Sequence, residues 1–178
     1  MATTITDFMQ SAVTRQFARD FLFRVEQINI EGAFFGEELI YAKSAVLPGR
    51  NIENKTVNYA GQQFNVPGKS SYPGSESYTI EFYHDESVDL RSSFEAASRS
   101  VFDNESTKGD IRMPGTEAKI TLKVLDRKLK EAETITLIGA SIRDIGPITY
   151  NIADGTGDVL TFPVTFAYHY YENFAPKK

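Results

Sequence analysis

The sequence predicts a mainly β protein: an antiparallel β-sandwich or partly open barrel with one flanking α-helix and one projecting β-hairpin. Three observations point there. Apolar and polar residues alternate in several runs, as in Tyr78, Ile80 and Phe82 against Thr79, Glu81 and Tyr83, which is the period of a half-buried strand. Only one long stretch, about residues 86–103, carries a clear helical period. The strand-like runs follow one another as hairpins instead of alternating with helices, which favours antiparallel pairing.

Taken in order, residues 1–19 form an N-terminal arm. "ITDFMQSAVTRQFARD" reads as a short helix, with Phe8, Ala12 and Arg15 or Gln16 on neighbouring turns, or as an ordered arm. "FLFRVEQINI" is a strand whose apolar parity slips near Glu26–Gln27, from Phe21, Phe23 and Val25 to Ile28 and Ile30. Such a slip marks a bulge or a bend. "EELIYAKSAVLPG" reads as the next strand, stopped by Pro48–Gly49. The polar stretch 47–74 contains a hairpin over about residues 50–68. Val57, Tyr59, Phe64 and Val66 give it strand character, Ala60–Gly61 lies near its reversal, and Pro48–Gly49 and Pro67–Gly68 bracket it.

After the strand "SYTIEFYH" comes the helix. Leu90, Phe94, Ala97 and Val101 fall at i, i+4, i+7 and i+11 and so share one stripe. Asp85 suits the N-cap, Glu86 and Asp89 suit the positive end of the dipole, and Asp103–Asn104 suit the exit. "AKITLKVLDRK" is a strand, and "ETITLIGASIRDIG" is another, kinked at Gly139. "IADGTGD" is a loop. "VLTFPVTFAYHYYE" closes the domain as one long strand with Leu160, Phe162, Val164, Phe166, Tyr168 and Tyr170 on a single face. Pro163 sets this strand at an edge or a bend. Residues 173–178 are a tail, and the count comes to roughly seven or eight strands.

A chain of 178 residues fits one domain, 1–178, and folding at that size buries about 70% of the unfolded surface, so a core forms without staples. The absence of Cys excludes disulfides, thiolate nucleophiles and cysteine-based metal centres. The start of the chain lacks a basic segment followed by an apolar run, and no window has the length and apolarity of a membrane span. The protein is therefore expected to be made soluble and to stay inside the cell that makes it. A net charge of -5 opposes nucleic-acid binding of the ordinary kind, which needs a basic surface. That charge is uneven. Residues 76–89 hold Glu76, Glu81, Asp85, Glu86 and Asp89 with no base, whereas residues 108–130 are mainly basic. The two segments could pair within the fold or between copies.

Reactive constellations are missing. His84 and Asp85 are strand neighbours on opposite faces and read as a sheet end and a helix cap. His169, among Tyr168, Tyr170 and Tyr171, reads as a packed or interface aromatic. "DGTGD" at 154–158 lacks the spaced oxygens and closing Glu of a calcium loop, and no helix opens behind its glycines to hold phosphate. No G-x-S-x-G, H-E-x-x-H or P-loop pattern occurs. No catalytic, metal-ligating or cofactor-binding residue is expected, and the protein is read as no enzyme. In the basic run Lys119, Lys123, Arg127, Lys128 and Lys130, Lys119 and Lys123 lie opposite Ile120, Leu122 and Val124 and read as the solvent face of a half-buried strand, or as a face that meets an acidic neighbour.

In order and pattern, the chain resembles the tail tube proteins of contractile-tailed bacteriophages. "FARDFLFRVEQI" looks like that family's first strand and "AKSAVLPG" like its second. "KTVNYAGQQFNVPG" is similar to its projecting hairpin, "YTIEFYHDESVDLRSSFEAA" to its strand entering the single helix, and "LTFPVTFAYHYYE" to its closing strand. Together these span most of residues 17–172. The resemblance implies a structural protein whose hexameric rings stack head-to-tail into the inner tube of a contractile tail. DNA would pass through its lumen without specific binding. Implied partners are other copies of the chain, the tail sheath, a baseplate tube initiator, a tape measure protein and a tail terminator. The implied location is the virion tail, after synthesis in the host bacterial cytoplasm.

Candidate interface residues are Arg50, Asn51, Lys55, Tyr59, Gln62, Phe64 and Lys69 in the hairpin, with Arg91 and Arg99 on the polar face of the helix. An ordinary solvated role competes with each. Two other readings stand beside the tube subunit. One is a tube initiator or a type VI secretion-like tube protein of the same fold. The other is a carbohydrate-binding β-sandwich module, which the nine tyrosines keep open.

Overall fold

The computed structural model describes residues 4–15, 18–30, 32–87, 89–109, 112–153, 155 and 157–174. Its main body is two antiparallel sheets facing one core. The first sheet has five strands in the order β11 (Tyr170–Phe174), β8 (Glu131–Ile138), β7 (Lys119–Leu125), β1 (Phe23–Ile30) and β2 (Ala33–Phe35). The second has four, β3 (Ala42–Ser44), β6 (Tyr78–Tyr83), β10 (Thr161–Ala167) and β9 (Ser141–Ile145). The remaining pair, β4 (Asn51–Tyr59) and β5 (Gln62–Ser71), is a separate two-stranded sheet. The sandwich is open, with no closed barrel, as the alternation of the sequence implies.

Inward residues of both sheets form one cluster. Val25, Ile28, Ile120, Leu122, Ile135 and Leu137 come from the first sheet, and Ile80, Phe82, Phe162, Val164 and Phe166 from the second. No charged residue is buried among the described residues, and the core holds chiefly by apolar burial, with the Tyr78 hydroxyl as a polar atom enclosed in it. The helix α2 (Asp89–Val101) packs Leu90, Phe94 and Ala97 into this cluster. Phe94 is fully buried and stacks on Phe35 of β2 at 4.5 Å between ring centroids. It also meets Phe82 of β6 at 5.4 Å and Phe166 of β10 at 6.1 Å. One side chain thus joins the helix to both sheets.

The parity slip in β1 is a register shift against β7 between Val25 and Gln27. The extra residue turns Ile28 and Ile30 inward after Val25, which keeps both halves of the strand on the core. The N-terminal segment forms a helix, α1 (Ile5–Arg15). Thr4 Oγ1 accepts the Asp7 amide, and Asp7 accepts the Thr4 amide, a reciprocal cap. The side chains of Phe8, Ala12, Arg15 and Gln16 lie outside the described residues. No described helix is long and apolar enough to cross a membrane.

Several expectations need correction, the first being the count: the described residues form eleven strands, not seven or eight, because short strands and sheet crossings divide the longer runs. "EELIYA" is a 3-10 turn over Glu37–Tyr41, not a strand; it buries Leu39 and leaves Ile40 exposed. With apolar residues on both parities, this stretch had no consistent sheet face to bury. A short strand at Ala33–Phe35 precedes it. The helix is shorter than 86–103, so Asp85 does not cap it; Asp85 Oδ2 instead accepts the Ser87 hydroxyl. "ETITLIGASIRDIG" is two strands in different sheets, separated by Gly139–Ala140. "VLTFPVTFAYHYYE" is likewise two, β10 and β11, separated by Tyr168–His169.

Pro163 lies inside the second sheet, between β6 and β9, not at an edge. The ladder tolerates it because β9 ends beside it. The Pro163 carbonyl accepts the Gly146 amide at 2.8 Å, so its nitrogen faces the same side, beyond the last β9 pair at Val164–Ile145. No ladder donor is missed there.

The two crossings between sheets touch each other. The His169 amide donates to the Ile138 carbonyl at 2.9 Å, and the amides of Gly139 and Ala140 both reach Ala118 O. Gly139 has φ +69, and a Cβ there would lie 2.1 Å from His169 Cδ2. Gly139→Ala is expected to lower unfolding free energy by roughly 2–4 kcal/mol through left-handed strain and overpacking. His169→Ala in the same chain should return part of that loss by removing the clash, as denaturant titration would measure. Phe94→Ala should cost about 3–5 kcal/mol, read as a lowered denaturant midpoint.

Candidate assembly surfaces

β4 and β5 pair from Asn51↔Ser71 to Tyr59↔Gln62, with a register shift between Ile52 and Asn54. A two-residue turn at Ala60 (φ 49) and Gly61 (φ 78) closes the hairpin. Positive φ at both positions matches the right-handed strand twist, and glycine supplies it without strain at the second. Residues 54–70 are all exposed, so the ribbon stands clear of the body.

Its two faces differ. Lys55↔Val66, Val57↔Phe64 and Tyr59↔Gln62 share one face, and Asn54↔Pro67, Thr56↔Asn65 and Asn58↔Gln63 share the other. The first face is apolar and aromatic, with Val57 51%, Tyr59 76%, Phe64 46% and Val66 46% exposed. Lys69 pairs with Glu53 at 3.5 Å. Arg50 and Lys55 are exposed and make no ion pair among the described residues.

The helix candidates separate. Arg91 turns back onto its own fold: it bonds Glu95 at 3.1 Å and the Gly146 carbonyl at 2.6 Å. Its guanidinium also lies 5.7 Å from the Phe162 ring centroid, within cation–π range. Arg99 stays exposed, 3.9 Å from Glu95. The candidate set therefore does not converge on one spot. The hairpin residues Arg50, Asn51, Lys55, Tyr59, Gln62, Phe64 and Lys69 lie on one projecting ribbon, and the helix pair lies elsewhere.

Lys123 is no isolated solvent-face cation. Its ammonium bonds Glu26 and Glu131, and these contacts hold its pKa above the usual lysine value. In the acidic segment, Glu81 pairs with Lys43 and Glu76 lies by Arg143. That part of the charge is answered inside the fold, by cations outside residues 108–130.

His84 Nε2 lies 2.9 Å from the Tyr150 hydroxyl, which ties the 146–160 loop to the end of β6. No group of three or more His, Asp or Glu gathers among the described residues. Asp154 and Thr156 of the "DGTGD" loop lie outside the described residues. The feature that sequence reading missed is the apolarity of this end of the sandwich. Phe21, Ile40, Tyr150, Ile152 and Val159 are each more than two-thirds exposed. Ile40 gave a signal, because it breaks the parity of Leu39; the loop residues gave none.

No protein-family model matches the chain, and no curated protein matches it in sequence. Solved structures do match in fold. A chain of the six-fold symmetrised baseplate of the anti-feeding prophage superposes with a TM-score of 0.63 at 15% identity, covering 92% of this chain and 99% of that one. A chain of the PVC sheath–tube complex, from an extracellular contractile injection system in its extended state, gives 0.54 at 15% identity, covering 98% and 99%. A chain of the PVC sheath/tube terminator gives 0.54 at 11% identity, covering 89% and 97%. Over nearly its whole length, the chain has the fold found in the tube and terminator assemblies of contractile injection systems.

Proposed function

We propose that the protein is the structural subunit of a contractile tail tube. Copies form hexameric rings, and the rings stack head-to-tail into the inner tube that conducts DNA from a phage virion at ejection. The observation that carries this reading is the hairpin, an ordered ribbon with an apolar face and no core of its own, on a fold shared with tube and terminator assemblies. A two-stranded ribbon is marginal alone in water, so another copy is its natural support. Sixfold order follows the symmetry of the anti-feeding prophage baseplate. Ring closure would also pair the free edges of β2, β3, β9 and β11, which are otherwise templates for uncontrolled pairing.

In this reading the subunit does no chemistry. Arg50, Asn51, Lys55, Tyr59, Gln62, Phe64, Lys69 and Arg99 contact neighbours, whereas Arg91 chiefly holds the helix to its own sheet. The sheath, the tube initiator, the tape measure and the terminator are its partners. The acidic balance of the chain suits a conduit that must not retain phosphates. A second reading, a ring that initiates or ends a tube, is favoured by the likeness to baseplate and terminator chains.

Negative-stain microscopy of the purified chain at rising concentration tests the proposal. Tubes of stacked rings are expected, single rings would favour the initiator or terminator reading, and a monomer at every concentration would overturn both. Deleting residues 54–64 should leave a folded monomer that builds no tubes; tubes from that variant would remove the hairpin from assembly.

A further inference from the structure

The hairpin and the exposed apolar end of the sandwich lie at opposite ends of the same strands. β3 runs antiparallel to β6, so the chain enters the hairpin from the Tyr78 end of the second sheet. It returns there too. Tyr72 packs edge-on against Tyr171 at 5.5 Å, and the Ser75 carbonyl accepts the Tyr168 amide at 2.8 Å. At the other end of β6, about 17 Å away at strand rise, the His84 amide donates to Leu160 O and the His84 ring meets Tyr150. Tyr83, Tyr150, Ile152 and Val159 are exposed at that end, Ile152 completely. Glu86 and Asp89 lie beside them at the entry to α2, exposed and without an ion pair among the described residues.

The two surfaces are complementary. The hairpin face offers Val57, Tyr59, Phe64 and Val66 with the cation Lys55, which makes no ion pair among the described residues. The far end offers apolar side chains with two unpaired carboxylates. Between residues 50 and 71 there are three basic residues and one acidic, a net charge of +2, so the rest of the chain carries -7 of the total -5. A basic, apolar ribbon at one end and an acidic, apolar surface at the other cannot meet within one chain, because the ribbon is exposed along its length. They meet when copies stack in one direction.

We infer that the Lys55–Val57–Tyr59–Phe64–Val66 face of one copy docks on the Tyr150–Ile152 loop and the Glu86/Asp89 entry of α2 in the next copy along the axis. The contact is heterologous, so it propagates instead of closing as a dimer. This inference rests on the tube reading and adds the receptor surface and the direction of stacking.

Charge reversal tests it in the full chain by sedimentation velocity and negative stain, with thermal unfolding as the check on folding. Lys55→Glu, and separately Glu86→Lys with Asp89→Lys, should each raise the concentration for half-assembly by roughly tenfold or more. Combining all three in one chain should recover most of that loss. Tyr150→Ser with Ile152→Ser should weaken stacking without any change of charge. If deletion of residues 54–64 stops assembly but the Glu86, Asp89, Tyr150 and Ile152 variants all stack like the parent chain, the hairpin docks elsewhere, and this inference fails while the tube reading stands. If the deletion variant also builds tubes, the hairpin takes no part in stacking and this inference fails while the tube reading stands; a parent chain that stays monomeric at every concentration overturns both.

Discussion

The fold depends on one aromatic wedge. Phe94 projects from α2 between the sheets and touches a ring from each side, Phe35 below and Phe82 and Phe166 above. Burial of apolar surface is non-directional and does not by itself set how two sheets sit against each other. A ring held on both sides sets the separation at which the layers close and fixes where the helix lies. Arg91 completes the arrangement one turn before, bonding the Gly146 carbonyl just past the end of β9. The helix is therefore a part of the sandwich and not an ornament beside it, even though it is the only long helix packed on the core among the described residues.

Much of the layer structure was legible in the residues because a half-buried strand writes its period directly into its sequence. β6, β7 and β10 each place the predicted alternate residues inward, and the slip at Glu26–Gln27 is a true bulge. What alternation does not carry is sheet membership. Leu160 to Tyr170 keep one parity across a break at which the chain leaves one sheet for the other, and the period has no term for that change of partner. Gly139 was visible as a kink, but only the approach of His169 gives it a steric meaning. The 3-10 turn at Glu37–Tyr41 was misread because adjacent apolar residues satisfy either period over so short a run.

The assembly surfaces were legible unevenly for the same reason. The hairpin announced itself through a weak alternation without a core and through Pro48–Gly49 ahead of it, whereas Pro67–Gly68, read as its second bracket, lies inside β5 at the register shift. Arg91 looked like a solvent-face cation because helical position predicts direction but not reach, and a long side chain can fold back over an aromatic ring. The apolar end of the sandwich was invisible because Tyr150, Ile152 and Val159 sit in a loop with no period. The contact between the Tyr150 hydroxyl and the His84 ring, with the His84 amide bonded to Leu160 O, brings that loop against the end of β6.

The paired crossings at Gly139–Ala140 and Tyr168–His169 have a mechanical consequence. At each of them the backbone itself passes from one sheet to the other within two residues, and the two passages lie in contact. A force along the strands that tried to slide one sheet past its mate would have to stretch covalent chain at that corner, not merely slip side chains in the core. The sandwich thus behaves as a laminated beam pinned at one end. That end is also the one from which the ribbon emerges, so a load taken up by the hairpin enters the domain where its layers are riveted together.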